Sequence, residues 1–373
     1  MLSRGAVIAT AMMFGLTYSL SAAVIALNLV ERGLSESVIG ANAAMHAVGV
    51  LITAVTLPRI VTFFGIRRLV ILALVVAAAA LTAFPALPLL WVWFLLRLML
   101  GMASEVLFVL SEAWTNSLST EATRGRAMAT YTAALSIGFA LGPTILSVLG
   151  STGHAAYFVG AAIALLAATL VASPRVAAPD FDKPASGSPI RFMRLAPVAI
   201  FATMLNAAIE TAGLSFLAIY AVNLGWAESG ATSLMSCMMI GAILLQLPIG
   251  WLGDKVDRVK LVAALGALAA LGALVWPLAL RSEWLTYGLL FLWGGAFVGI
   301  YTIMLAVVGS RFQGAELIGI YAAMGLVWGF GALLGPVLAG FAMELSVHGL
   351  AFFAAAICTL FAVFVLLRGR AAT

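Results

Sequence analysis

Residues 67–86 read RRLVILALVVAAAALTAFPA, two arginines followed by a run without charge that continues to Ala86. About 20 predominantly apolar residues are enough to cross the hydrocarbon core of a bilayer as an α-helix. Because a helix satisfies its own backbone hydrogen bonds, such a run is stable in lipid. The segment therefore predicts a membrane-spanning helix that begins beside a pair of basic residues.

Runs of this kind fill the chain of 373 residues, of which 64% are hydrophobic and 9% are charged. Soluble domains carry about 25% charged residues, so a soluble protein is excluded. Breaks at charged and turn-forming residues divide the sequence into twelve predicted helices. These cover residues 5–30, 37–58, 67–86, 89–113, 127–150, 154–172, 196–224, 230–251, 261–280, 284–308, 316–343 and 348–367.

The 19 Lys and Arg residues orient these helices, because basic residues favour cytoplasmic loops. If the N-terminus is inside, only Arg32 and Arg281 fall outside and only Arg97 lies deep within a predicted helix. We therefore expect a monomer in a bacterial-type inner (plasma) membrane, with both termini in the cytoplasm. No basic patch of the kind that binds nucleic acid is present, so the lipid bilayer, a small-molecule substrate and protons are the expected partners.

Residues 173–195 have the composition of a linker, rich in Pro, Ser and charge. They separate a predicted N-terminal six-helix bundle at residues 1–172 from a C-terminal one at 196–373. Both halves contain a Gly-x-x-x-Gly-Pro pattern, formed by Gly138, Gly142, Pro143, Gly331, Gly335 and Pro336. Small residues at this spacing let helices pack closely. The predicted fold class is an all-α membrane protein of twelve transmembrane helices in two pseudo-symmetric bundles.

Several motifs resemble those of the major facilitator superfamily, and the resemblance covers nearly the whole chain. The loop at residues 250–260, GWLGDKVDRVK, is similar to the family's loop pattern, and Arg97-x-x-x-Gly101 resembles its arginine motif. The segments EAWTN at 112–116 and RGR at 124–126 resemble those of the YcaD-like group of transporters. The resemblance implies the major facilitator fold and secondary transport by alternating access.

The loop pattern also implies an inner gate. In the first half only Gly65 and two arginines of the pattern remain, and Asp257 stands at a glycine position in the second half. Glu112 is expected to dock Arg126 or the loop arginines. The predicted inner-gate residues are Glu112, Arg67, Arg68, Arg126, Gly250, Asp254, Lys255 and Arg258.

Ionisable residues inside the predicted helices are candidates for proton coupling. Arg97, Glu105 and Glu112 share one stripe of the fourth predicted helix. Placing any of these charged side chains at the bilayer centre, facing lipid, would cost at least about 2.5 kcal/mol of free energy. Glu210, one turn after Asn206, is the only acidic residue deep in a helix of the second half. We expect Glu105 and Glu210 to bind and release protons and Arg97 to tune them. The alternative is that these groups only satisfy polar neighbours on other helices.

A polar stripe on the first predicted helix suits the wall of a substrate cavity, although Ser and Thr also join helices to each other. On the second predicted helix, His46 could relay protons near neutral pH, but a satisfied structural histidine is the favoured interpretation. The predicted cavity residues are Phe14, Thr17, Ser21, Asn28, His46, Asn206, Tyr301 and Trp328.

The sequence contains no phosphate-binding loop, hydrolase motif or metal-ligand cluster, so an enzyme is not predicted and no cofactor or metal is expected. The expected function is proton-coupled export of a small organic, cationic or amphiphilic solute. Proton-coupled uptake is the first alternative. Copper(I) transport through Met235 and Met239 beside Cys237 is a second, and a membrane sensor without transport is a third.

Overall fold

The computed structural model describes residues 2–118, 121–176, 189–312 and 314–368, which form α-helices and no strand. The helices are α1 Leu2–Glu31, α2 Glu36–Phe64, α3 Ile66–Ala86, α4 Leu90–Ser117, α5 Glu121–Leu149, α6 Ala155–Ala172, α7 Pro189–Leu195, α8 Pro197–Asn223, α9 Glu228–Leu244, α10 Gln246–Lys255, α11 Arg258–Ala279, α12 Glu283–Arg311, α13 Gly314–Leu345 and α14 Gly349–Arg368.

The described ranges contain 11 helical segments long and apolar enough to cross a membrane, with α9 and α10 counted together. A shorter apolar segment, Ala133–Leu149, forms most of α5. These segments correspond one to one with the twelve predicted helices. The predicted class, an all-helical membrane protein with many spans, is confirmed.

Two local details differ from the sequence prediction. The predicted helix at 230–251 is interrupted at Leu245, between α9 and α10. Pro248 has no backbone N–H and cannot bond to the carbonyl of Leu244, which weakens a continuous helix at this point. In addition, the predicted linker at 173–195 ends in a short helix, α7.

The first compact unit comprises Met1–Gly33 and Met45–Pro184. Its central helix is α1, which packs along α5 and also contacts α4 and α6. The most apolar stretch of α1 is 89% buried, whereas that of α4 is 44% buried. Polar side chains on α1 are therefore held inside the unit, away from lipid.

The second compact unit comprises Leu34–Ala44 and Ala185–Thr373. Its central helix is α8, whose most apolar stretch is also 89% buried and which packs along α13. The first turns of α2 belong to this unit. Gly40 meets the backbone of Pro336, and the backbone N–H of Ser37 donates to Glu344 Oε1 at 3.0 Å.

The Gly-x-x-x-Gly pairs allow close helix contacts in both units. Gly138 and Gly142 bring α5 against the backbone of α1, and Gly331 and Gly335 bring α13 against the backbone of α8. A Cβ atom at any of these positions would overlap the neighbouring helix. The repeated motif therefore has the same packing role in each unit.

Candidate functional site

A buried cation lies in the first unit, where α4 carries Arg97. This side chain is 3% exposed, and its Nη1 donates to Ser21 Oγ of α1 at 3.0 Å. Ser21 itself is fully buried and donates to the carbonyl of Tyr18. The contact between α4 and α1 thus holds a guanidinium group inside the unit with one neutral acceptor.

His46 of α2 lies in the same region and is 3% exposed. Its ring packs edge-on to Tyr18, with centroids 4.6 Å apart. The carbonyl of His46 meets Gly101 of α4, one turn after Arg97, where only glycine leaves enough room. Among the described residues, neither ring nitrogen of His46 nor Nε of Arg97 has a hydrogen-bond partner.

Four aromatic rings extend from this polar group and form what we call the aromatic cluster: Phe14, Tyr18, Phe108 and Phe139. The centroid of Phe14 lies 5.1 Å from that of Phe108 and 5.7 Å from that of Phe139. Tyr18 joins the group at 5.6 Å from Phe139. Sequence reasoning identified Phe14 but missed Phe139, whose only signal is its position directly after Gly138 at the contact of α5 with α1.

The two carboxyl groups of α4 lie further along the same helix. Glu105 and Glu112 are half-buried, and neither forms a salt bridge with any described side chain. Arg97 and Glu105 are eight residues apart, a rise of about 12 Å, so they do not pair along their own helix. Glu105 is therefore an isolated carboxyl group in a helix that crosses the membrane.

Glu112 does not dock the loop arginine Arg67. The Nε of Arg67 instead donates to the carbonyl of Val171 at 3.1 Å, and its Nη2 reaches the carbonyls of Ala172 and Ser173. These carbonyls end α6 and have no partner within that helix, so they attract a cation. That part of the sequence prediction is wrong in this structure.

Two other arginines belong to the same prediction. Arg68 is exposed. The side chain of Arg126 lies outside what the structure describes.

In the second unit, α8 presents a pair of polar side chains. Asn206 is 7% exposed, and its Nδ2 donates to Glu210 Oε2 at 3.2 Å. The i,i+4 spacing places both on one face of the helix. The Oδ1 atom of Asn206 has no hydrogen-bond partner among the described residues. The carboxyl group of Glu210 is thus held by a neutral donor from its own helix.

The remaining predicted cavity residues lie in different settings. Thr17 is buried and donates to the carbonyl of Met13, a bond within α1. Both polar atoms of the Asn28 amide form hydrogen bonds. Nδ2 donates to the Ser151 carbonyl at 2.9 Å, and Oδ1 accepts from the Tyr157 hydroxyl at 3.1 Å. This residue ties α1 to the start of α6. Tyr301 of α12 and Trp328 of α13 are half-buried.

Charged side chains form most of the contacts described around the loop between α10 and α11. Asp254 forms a salt bridge with Arg258 at 3.2 Å. Arg258 also donates to the carbonyl of Gly253 at 3.2 Å, and Asp257 caps α11 by accepting from the backbone of Lys260 at 2.8 Å. The departure of Asp257 from the family's glycine thus serves as a helix cap.

Two further residues of the predicted gate lie in α10. Lys255 lies 3.7 Å from the centroid of the Trp251 ring, and Gly250 has open space around its Cα.

The methionines of α9 pack against α8. A Cβ at Gly213 would lie 3.6 Å from the Met238 methyl and 3.8 Å from that of Met235. Cys237 Sγ donates to the carbonyl of Tyr287 at 3.4 Å. Among the described residues, no three His, Cys, Asp or Glu side chains come together as a metal site. The thioethers of Met235 and Met238 therefore pack at the contact between α9 and α8.

The sequence is similar to those of known membrane transporters. The model of the Major Facilitator Superfamily matches residues 7–208 and again residues 199–373. The uncharacterized MFS-type transporter YfkF of Bacillus subtilis (strain 168) is 27% identical over 330 residues, which cover 86% of this chain and 83% of YfkF. The uncharacterized MFS-type transporter YcaD of Salmonella typhimurium is 24% identical over 333 residues, covering 88% and 84%.

Solved structures share the fold. The nucleoside transporter NupG superposes with a TM-score of 0.76 at 16% identity, over 100% of this chain and 98% of that one. The D-xylose-proton symporter superposes with a TM-score of 0.74 at 16% identity, over 97% and 96%. Since the family model covers both halves of a chain with this helical architecture and YcaD is among its relatives, the chain belongs to the Major Facilitator Superfamily, as a multi-pass membrane transporter of the YcaD-like group.

Proposed function

We propose that this transporter exports a small organic amphiphile in exchange for protons, and that Glu105 and Glu210 carry the protons. The observation that supports this most strongly is that Glu105 in the first unit and Glu210 in the second lie in membrane-crossing helices without a salt-bridge partner among the described side chains. A charged carboxylate in hydrocarbon is costly, so such residues are rare in membrane helices and mark ion or proton pathways.

The surroundings of the two carboxyl groups suit reversible proton binding. Glu105 has no salt-bridge partner among the described side chains, and Glu210 accepts only from the neutral amide of Asn206. A fixed counter-charge would hold a carboxylate permanently ionised, because an opposite charge favours the charged form. Without one, each group can be neutral in one step of the cycle and charged in the next.

One sequence feature favours export by antiport over uptake. In antiporters of the superfamily the Gly-x-x-x-Gly-Pro signature of the first half, here Gly138 to Pro143, is characteristic. The second half of this chain carries the same signature, as a purely structural repeat would. Uptake is the second candidate, because the same fold is found in a D-xylose-proton symporter. We also propose that the protein works as a monomer in the bacterial inner membrane, with both termini in the cytoplasm.

The proposed inner gate of the second half consists of Asp254, Lys255 and Arg258. The salt bridge between Asp254 and Arg258, and the hydrogen bond from Arg258 Nη1 to Ser310 Oγ at 3.4 Å, join the loop to the end of α12. In the proposed cycle these bonds form when the inner side closes and weaken when it opens.

Proton flux in proteoliposomes tests this function. The protein is reconstituted with a pH-sensitive dye inside the vesicles, and a panel of small organic amphiphiles is added under an imposed pH gradient. We expect at least one compound to drive proton movement opposite to its own, and Glu105→Gln and Glu210→Gln each to reduce that flux by about tenfold or more. Glu283→Gln is the matched control, because this exposed carboxylate begins α12.

Each outcome has a distinct meaning. Solute and proton moving in the same direction would replace export by uptake. Wild-type flux in both glutamine variants would remove Glu105 and Glu210 from the coupling mechanism. Solute transport without any proton flux would overturn proton coupling itself.

A further inference from the structure

Arg97 is a buried cation without a counter-ion in the part of the chain that the structure describes. It is 3% exposed, its Nη1 donates to the neutral Ser21 hydroxyl, and its Nε has no partner. Among the described side chains, no carboxylate forms a salt bridge with it. A buried charge left in this condition destabilises a protein unless something pairs with it.

His46 adds two more unused polar atoms beside Arg97. Both of its ring nitrogens lack a hydrogen-bond partner within the described residues, although the side chain is buried. Nearly all buried polar atoms in proteins find a partner, so a cluster of unpaired ones indicates a missing ligand. Arg97 Nε and one nitrogen of a neutral His46 can both donate. The ligand must therefore supply acceptors and negative charge.

The number of charges limits the class of anion. One guanidinium group beside a neutral imidazole balances one negative charge, which suits a carboxylate better than a doubly charged phosphate. The planar guanidinium also matches the two oxygens of a carboxylate. Ser21, already bonded to Nη1, fixes the orientation of the arginine.

The aromatic cluster indicates what the rest of the ligand is made of. Its rings lie in the same unit, and Tyr18 links them to His46 through the edge-on contact at 4.6 Å. Phe108 and Phe139 are half-buried, so part of each ring is uncovered. Aromatic faces of this kind bind aromatic groups by offset or edge-on stacking.

We propose that Arg97, Ser21 and His46 bind the carboxylate of the transported solute, and that the aromatic cluster binds its ring. The solute class is thus an aromatic carboxylate, whereas the sequence favoured a cationic or amphiphilic solute. This inference rests on the proposed transport function, since it names the solute of that function. Arg97 is covered in the present structure, so the carboxylate enters in a conformation that exposes it.

Equilibrium binding tests the inference without any gradient. Thermal unfolding of the purified full-length protein in detergent is measured with benzoate, 2-naphthoate and 3-phenylpropionate, each beside its neutral amide, and with benzylamine as a cation. We expect a carboxylate to raise the Tm at concentrations where its amide and the amine do not. Arg97→Gln is expected to weaken that binding by about tenfold or more. Arg97→Lys should weaken it less, because lysine keeps the positive charge but lacks the planar guanidinium group that donates two parallel hydrogen bonds to a carboxylate.

Arg32→Gln is the matched control. Arg32 is also in the first unit, but it lies over the ring of Trp93, with its Cζ 3.9 Å from the ring centroid, and it donates to the Pro88 carbonyl. Carboxylate binding should persist in this variant. His46→Gln is a second probe if Arg97→Gln does not fold, and it should weaken carboxylate binding several-fold.

The inference is overturned if no carboxylate raises the Tm more than its amide, if benzylamine is the compound that does, or if Arg97→Gln or His46→Gln binds carboxylate as the wild type does. Failure of the proton-flux experiment has a different signature. In that case carboxylates would still bind in an Arg97-dependent way while Glu105→Gln and Glu210→Gln left proton flux unchanged. The solute class and the coupling mechanism are therefore tested separately.

Discussion

The two compact units hold different polar groups inside similar helical frames. In the first unit, Arg97 and His46 carry donors without partners beside an aromatic cluster. In the second unit, the polar pair on the central helix is a carboxyl group and an amide, Glu210 and Asn206, already bonded to each other. In the proposed mechanism the first unit binds the anion of the solute, and a carboxyl group of each unit, Glu105 or Glu210, takes up a proton.

The frames themselves are alike because the same contacts build them. Gly142 lets α5 approach α1, and Gly335 lets α13 approach α8. Each central helix is buried to the same extent, 89% of its most apolar stretch. Residues that recur between the halves therefore set helix packing, while those found in only one half are the candidates for solute and proton binding.

Leucine at the repeated glycines gives the largest expected effect. Gly142→Leu and Gly335→Leu would each place a branched side chain against the backbone of the central helix, and overpacking of this kind costs about 1–3 kcal/mol or more. We expect both variants to lose most folded protein, to a similar degree, in size-exclusion chromatography and thermal unfolding. Gly325→Leu is the control, because no atom lies near its Cα in the direction of a side chain. A well-folded variant at one position alone would show that the frame is not duplicated.

Local features of the site could be predicted from the sequence. The stripe that joins Arg97 to Glu105 follows from helical periodicity, and the pairing of Asn206 with Glu210 follows from their i,i+4 spacing. Each of these two features lies within a single helix, so it can be predicted without knowing how the helices pack. The packing glycines are similarly visible as a spacing in the sequence.

Features that depend on neighbouring helices could not be predicted. Asn28 belongs to the polar stripe of α1, yet its amide bonds to the Ser151 carbonyl and the Tyr157 hydroxyl, which lie just before α6 and in its first turn. Arg67 donates hydrogen bonds to the carbonyls at the end of α6, although its position in the sequence suggested a carboxylate partner. Phe139 joins the aromatic cluster only because α5 packs on α1. Periodicity gives the face of a helix but not what lies against it.

Alanine at one polar residue of each unit separates the two proposed roles. Ser21→Ala removes the hydroxyl that accepts from Arg97, and the loss of such a bond costs about 0.5–1.5 kcal/mol, or roughly a 2- to 13-fold weaker affinity. We expect weaker carboxylate binding in thermal unfolding assays. Asn206→Ala removes the donor to Glu210 and should slow proton flux in proteoliposomes while leaving carboxylate binding unchanged.

The two alanine variants serve as controls for each other. Equal effects of both on carboxylate binding would mean that the anion site is not confined to the first unit. Normal proton flux in Asn206→Ala would mean that the bond to Glu210 is only structural.

The smallest expected effect concerns the charged loop of the second unit. Asp254→Asn removes the salt bridge to Arg258. The side chain of Asp254 is 76% exposed and that of Arg258 is 32% exposed. Exposed pairs contribute about 0.2–1 kcal/mol, so we expect a slight fall in Tm that disappears in high salt, because salt screens exposed charges. The first half has Thr62 at the position that corresponds to Asp254, so this contribution belongs to one unit only.

Asp257→Asn is the control for Asp254→Asn, since it removes the same charge from the same loop. Asn caps a helix about as well as Asp, and the bond to the Lys260 backbone should therefore survive. A fall in Tm of equal size in both variants would show that the loop responds to its net charge. A fall in Tm for Asp254→Asn alone, lost in high salt, assigns the effect to the pairing of Asp254 with Arg258. It would also set the charged loop of the second unit apart from the corresponding loop of the first.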